Sequence, residues 1–95
     1  MFARMGRFQA SPERIQDGVQ AFEGMTDSLK GMAGFKGAYL LVDRWAGKAI
    51  TLTLWENEDS VRASAAASRG FRSQGAEAMG SEAGEAKIYE FALQL

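Results

Sequence analysis

One stretch limits what this chain can become: Gly34 to Asn57, GFKGAYLLVDRWAGKAITLTLWEN, two runs of strand character around a single turn signal. Arg44-Trp45-Ala46-Gly47-Lys48 reads as that turn, with Gly47 supplying the positive φ that a three-residue hairpin with a bulge requires. With Arg44 opposite Lys48, the register pairs Val42 with Ile50, Leu40 with Leu52 and Ala38 with Leu54, a face made only of aliphatic groups. The other face then carries Asp43 opposite Ala49, Leu41 opposite Thr51, Tyr39 opposite Thr53, and Gly37 beside Trp55. Soluble antiparallel sheets ordinarily keep one face polar, so Leu, Tyr and Trp on the second face demand a cover there too. Helices of the same chain can cover one side, and a second subunit is the economical cover for the other. The pattern leaves open which hairpin face meets the helices.

Phe2 to Phe8 alternates as a strand, and Ser11-Pro12 supplies an N-cap and a first helical residue. A helix over Pro12 to about Met32 follows, its stripe made by Ile15, Val19, Phe22, Met25 or Thr26, Leu29 and Met32 at spacings of three and four. Gly31, Gly34 and Gly37 end it and open the hairpin. Asn57 caps a second helix that begins with Glu58 and Asp59, both favourable at the positive end of its dipole. Gly70 and Gly75 each cost about 1 kcal/mol relative to Ala, so this helix is expected to weaken in its second half and break near Gly75. Gly80 to Gly84 reads as a loop, and Lys87 to Leu95 as a last strand with Tyr89, Phe91 and Leu93 on one face. The order β-α-β-β-α-β is the ferredoxin-like arrangement. It implies an α+β domain with one four-stranded antiparallel sheet, two helices on one face and the other face free for a partner.

Ninety-five residues suffice for one such domain, residues 1–95, with a core of two packed layers. A net charge of −1 from interspersed Lys, Arg, Asp and Glu argues against nucleic acid and anionic membranes as partners. The assigned elements also leave no room for a helix-turn-helix. No basic leader and no apolar run near the ~20 residues of a membrane span is visible, so the expected location is the cytoplasm. With no Cys there is no disulfide, thiolate metal site or thiol nucleophile. With no His, the commonest general base, metal ligand and proximal haem ligand are missing as well, so no metal site is expected.

Three stretches carry a resemblance: the strand FARMGRF, the run GFKGAYLLVDRWAGKA with its Gly-Phe-x-Gly opening, and the junction TLTLWENEDSVRAS. Over nearly its whole length the chain resembles the dimeric α+β barrel superfamily, in its antibiotic biosynthesis monooxygenase-like branch. The resemblance implies a homodimer whose two sheets close into a barrel, with a ligand pocket in each subunit between sheet and helices. Haem-degrading relatives of this kind carry an Asn just before an Arg on the first strand, then a Trp and a His on the second helix. In this chain those positions fall on Gly6, Ser64 and Gln74, so haem degradation is disfavoured. The other chemistry implied is oxygenation of a small phenolic or anthrone-like aromatic by O2, without any cofactor. Such substrates form a stabilised carbanion and reduce oxygen themselves, which leaves the protein to bind, assist deprotonation and stabilise negative charge.

Candidate parts for that chemistry are Trp55 and Tyr39 as aromatic walls, Arg4 or Arg72 as partner of an oxyanion, and Asp43 or Glu56 as base. With Arg4, the residues Gly6, Phe22, Ser64, Ser68, Phe71 and Gln74 complete the candidate ligand surface. A structural role stands beside each functional one. Trp55 and Tyr39 suit core or interface burial, Asp43 a turn and Glu56 the helix dipole, and Arg62, Arg69 and Arg72 a solvated stripe. The inward stripe of the second helix, Val61, Ser64, Ser68, Phe71 and Gly75, is too small to fill the layer beneath it. Either that helix lies closer to the sheet or the space holds water or a ligand. The alternative function is the same fold without chemistry, as a small-ligand binder or a dimerisation module.

Overall fold

Four strands pair antiparallel in the order β2-β3-β1-β4. In the computed structural model, which describes residues 1–81 and 84–95, β1 is Phe2–Gln9, β2 Phe35–Asp43, β3 Lys48–Trp55 and β4 Lys87–Glu90. Four helices join them: α1 (Ile15–Glu23), α2 (Thr26–Lys30), α3 (Glu58–Ala63) and α4 (Ala65–Ala78). α1 and α2 pack on β2, α3 packs on β1 and β3, and α1 lies against α4. This is the ferredoxin-like α+β arrangement that the element order implies. Glu82 and Ala83, in the middle of the expected Gly80–Gly84 loop, lie outside the described residues.

The hairpin differs from the sequence reading by one residue of register. Asp43, not Arg44, stands opposite Lys48, so the turn spans four residues, Arg44 to Gly47. The Asp43 side chain is the cause. Its carboxylate accepts from the backbone N–H groups of Trp45 and Ala46 at 3.1 and 3.0 Å, and the Gly47 N–H donates to the Asp43 carbonyl at 2.9 Å. Gly47 does take positive φ, +72°, and a side chain there would run into the Ala10 carbonyl. A one-residue slip moves one strand's side chains to the opposite face relative to its partner. The helix side therefore holds Val42 with Ala49, Leu40 with Thr51 and Ala38 with Thr53, and the far side Leu41 with Ile50, Tyr39 with Leu52 and Gly37 with Leu54. The purely aliphatic face is replaced by a divided one. β3 turns its threonines inward, and the outer face collects Tyr39, Leu41, Ile50, Leu52 and Leu54, continued on β1 by Ala3 and Met5.

Both helical segments are broken, at places the apolar pattern does not mark. The first comprises a 3-10 turn over Pro12–Arg14, then α1 and α2, interrupted at Gly24-Met25; the Ser11 side chain makes no capping bond. Its stripe still faces inward, with Ile15, Met25 and Leu29 buried. The second segment runs unbroken through Gly70 and Gly75 and breaks instead at Ser64. The Ser64 hydroxyl donates to the Val61 carbonyl at 2.7 Å, and such back-bonding bends helices. Gly75 serves close approach: the Phe22 ring fills the space a Cβ would need, and that ring also meets Phe8 edge-on at 5.6 Å. Asn57 caps α3 as expected, its side chain accepting from the Ser60 N–H at 2.9 Å in a reciprocal capping box. β4 is shorter than expected, ending at Glu90. Beyond it the Phe91 N–H donates to the Met1 carbonyl at 2.9 Å, and the apolar side chains of Phe91, Leu93 and Leu95 are exposed.

The inner layer has two dense ends. Near the hairpin turn, Phe8, Ile15, Ala49, Ala76 and Met79 form the buried core, with Val42, Val19 and Phe22 packed on it. At the other end of β3, Trp55 and Val61 are fully buried, and Phe35 meets the Trp55 ring edge-on at 5.5 Å. Thr51 and Thr53 lie between these ends, and over them the layer is not filled.

Candidate functional site

The unfilled space is a cavity of about 460 Å³ between the sheet and the helices, within the range of small-molecule sites. Its floor is sheet: Arg4 from β1, Ala38 and Leu40 from β2, Thr51 and Thr53 from β3. Its roof is helix: Val19 and Phe22 from α1, Leu29 from α2, and Ser68, Phe71 and Arg72 from α4. Glu23, Thr26 and Lys30, all exposed, line it toward solvent. The cavity follows from the small inward residues of the second helical segment together with the break at Ser64. Gly75 solves the packing problem by close approach at one end, and the space remains at the other.

Arg4 is 7% exposed, and its guanidinium is braced. Nη1 donates to the Ser64 and Ser68 hydroxyls at 2.6 and 2.5 Å, and Nη2 donates to the Val61 carbonyl at 2.7 Å. These bonds hold β1 to the bent helix junction without any carboxylate. Arg72 is held differently. Its stem crosses β1 at Gly6, where a Cβ would come within 3.0 Å of Arg72 Cδ and 2.9 Å of the Thr51 hydroxyl. Its Nε and Nη1 are buried and have no hydrogen-bond partner among the described residues. Desolvation lowers the pKa of Arg4 from its usual value, and the charge of Arg72 lowers it further. Arg72 is likewise lowered, first by desolvation and then by Arg69. Two arginines thus line one space: three of the five Arg4 donors are held by two hydroxyls and a carbonyl, while Nε and Nη1 of Arg72 are shut off from solvent with no acceptor among the described residues.

The candidates of the sequence reading divide on this geometry. Arg4, Phe22, Ser68, Phe71 and Arg72 line the cavity. Gly6 makes room for the Arg72 stem, and Ser64 holds Arg4. Trp55 is 0% exposed and does not line the cavity; its indole N–H donates to the Thr53 hydroxyl at 3.0 Å. Tyr39 borders the space but is 61% exposed, and its register partner Leu52 lies on the face opposite Trp55, so the two do not form one aromatic wall. Asp43 is engaged in the hairpin turn, while Glu56 and Gln74 are exposed and away from the cavity. The solvated reading of the arginine stripe fits Arg62, which pairs with Glu58 at 2.8 Å, but not Arg72. Sequence reasoning missed Thr51 and Thr53, although their alternation in ITLTLW carried the signal, because the hairpin pattern left open which face meets the helices. Among the described residues, no group of three His, Cys, Asp or Glu comes together as a metal could require.

A family profile described as antibiotic biosynthesis monooxygenase matches residues 1–72. The chain belongs to the antibiotic biosynthesis monooxygenase family. An uncharacterised protein of Mycobacterium tuberculosis is 35% identical over 65 residues, covering 67% of this chain; the match spans only 29% of that relative's length. Among solved structures of this family's fold, SnoaB from Streptomyces nogalater, a cofactor-independent oxygenase, aligns with a TM-score of 0.69 at 22% identity, over 99% of this chain and 94% of its own. The haem degrader MhuD from Mycobacterium tuberculosis, with two haems in its active site, aligns with a TM-score of 0.70 at 18% identity, over 100% and 99%. The family fold therefore accommodates two chemistries, and the side chains of the cavity have to discriminate between them.

Proposed function

We propose that this chain is a cofactor-independent monooxygenase that oxidises a small phenolic or anthrone-like aromatic with O2, acting as a cytoplasmic homodimer. The observation that carries this reading is Arg72, whose buried Nε and Nη1 lack a partner among the described residues, at a cavity that Phe22, Phe71, Leu40 and Val19 help to wall. Such a space suits an aromatic body with one oxygen on which negative charge develops. In an anthrone the activated CH2 loses a proton, and the resulting carbanion passes an electron to O2. Recombination gives a peroxide, and loss of water leaves the carbonyl, so one O2 is consumed for each quinone and one water is released. Phe22 and Phe71 take the part of aromatic walls, Arg72 neutralises the oxyanion, and Arg4 adds a fixed positive charge beside it. Haem degradation is disfavoured, since the chain has no His to serve as the usual proximal ligand. Support for the homodimer comes from the outer sheet face, where Leu41 is 52% exposed and Tyr39 more so, beside Ile50, Leu52 and Leu54.

Conversion of dithranol, a dihydroxyanthrone, to its quinone is the test, followed by absorbance in chelator-treated buffer with no added cofactor. Turnover by the wild-type chain that falls at least about tenfold in Arg72→Met is the expected result, tenfold being about 1.4 kcal/mol of lost charge stabilisation. Turnover unchanged by that substitution would contradict the assignment of the site.

A further inference from the structure

Among the described residues, no carboxylate forms an ion pair with either arginine of the cavity. Arg4 and Arg72 line it from within, while Glu23 and Lys30, an acid and a base that are both exposed, line it toward solvent. Arg4 spends three hydrogen bonds on neutral oxygens, so its charge is held but not cancelled. Arg72 keeps both its charge and the N–H donors of Nε and Nη1. A partly buried cation without a counter-ion is unfavourable, and a ligand that supplies negative charge recovers part of that cost on binding. A neutral hydroxyl satisfies a donor but leaves the charge as it was. The carboxylates that could have acted as a base, Asp43 and Glu56, are engaged in the turn or stand outside the cavity.

We infer that the cavity selects its ligand as an anion, an apolar ring bearing one oxyanion, either a carboxylate or an ionised hydroxyl, which pairs with Arg72. A bound phenol therefore gives its proton to solvent under the field of the two arginines, and no protein carboxylate acts as base. This rests on the reading of the cavity as a ligand site and deepens it by fixing the charge of what enters.

Three probes of one size test it: 4-nitrobenzoate, 4-nitrophenol and the neutral 4-nitrobenzyl alcohol, titrated calorimetrically into the wild-type chain, Arg72→Met and Arg72→Lys. The expected result is that the carboxylate binds wild type at least about tenfold tighter than the alcohol, a preference set by charge pairing at low dielectric. Arg72→Met should remove that preference by weakening the carboxylate far more than the alcohol, and Arg72→Lys should keep part of it. The ionisation of bound 4-nitrophenol, visible in its absorbance, should move down by about one pH unit relative to free probe, as a cation within a few ångströms requires. Preference for only one of the two anions would also support the inference and would identify the oxyanion. Equal binding of alcohol and carboxylate, binding of none of the probes, or an ionisation midpoint that does not move would overturn it. So would an equal loss for all three probes in an Arg72→Met chain of unchanged circular dichroism. Charge-selective binding without dithranol turnover would leave this inference standing and remove the oxygenase. Turnover without charge selection would do the reverse.

Discussion

Replacing Arg4 by Met separates a structural brace from a structural burden. The substitution keeps most of the apolar stem and removes the bonds to the Ser64 and Ser68 hydroxyls and the Val61 carbonyl. Hydrogen bonds from a charged donor contribute about 1.5–3 kcal/mol each. Opposing them is the burial of a guanidinium beside a second one, which costs several kcal/mol. The Ser64 hydroxyl and the Val61 carbonyl still have each other after the change, so little is left unsatisfied. A net loss of about 2 kcal/mol follows, equivalent to a fall in Tm of about 10 °C for a domain of this size. Urea unfolding at fixed protein concentration measures it as a lower midpoint with an unchanged slope. Ser68→Ala supplies the control, since its own cost should nearly vanish in the Arg4→Met background, with a coupling of about 1 kcal/mol. A midpoint that stays put or rises would refute the reasoning, because it would show that Arg4 is tolerated by this fold and does not tie β1 to the bent helix.

Arg72 carries the opposite expectation. Its unpartnered donors cost the ligand-free fold stability, so Arg72→Met should raise the unfolding free energy by about 1 kcal/mol while activity falls. The pKa of this arginine is lowered on folding, so the unfolded chain binds more protons only between the lowered value and the usual one, and stability climbs with pH only in that strongly alkaline window. The stability difference between wild type and Arg72→Met should accordingly be the same at pH 6 and pH 9. Asn57→Ala removes the acceptor of the α3 capping box and should cost about 1 kcal/mol by the same unfolding assay. Leu41→Asp places a charge on the bare outer face and should shift the mass seen by light scattering from twice the 10.3 kDa of the chain to that of a single one.

The element order was legible because each element carries its own signal: alternation in Phe2–Phe8, the stripe from Ile15 to Leu29, Gly47 in the turn, Asn57 at the cap. Register was not legible, since it depended on whether Asp43 belongs to the strand or closes the turn, and local pattern allows both. That one choice put Leu40 and Ala38 across from Thr51 and Thr53 and separated Tyr39 from Trp55. The helix break was hidden for a related reason. Gly75 looks like a weak point until the Phe22 ring is seen to occupy its empty side, and Ser64 looks harmless until its hydroxyl bonds to Val61 and Arg4. Of the candidate site, Arg4, Phe22, Ser68, Phe71 and Arg72 were reachable from spacing and resemblance. That Arg72 meets no carboxylate among the described residues was not, because charge pairing is a property of the fold and leaves no local trace in the chain.

Oxygen consumption measured with an electrode during dithranol oxidation, in chelator-treated and cofactor-free buffer, decides whether the chain is a cofactor-independent oxygenase. One O2 should be taken up for each quinone formed, at a rate that rises with wild-type protein and nearly disappears with Arg72→Met. Uptake equal to the protein-free background for dithranol, and for a panel of naphthols and hydroquinones, would contradict it.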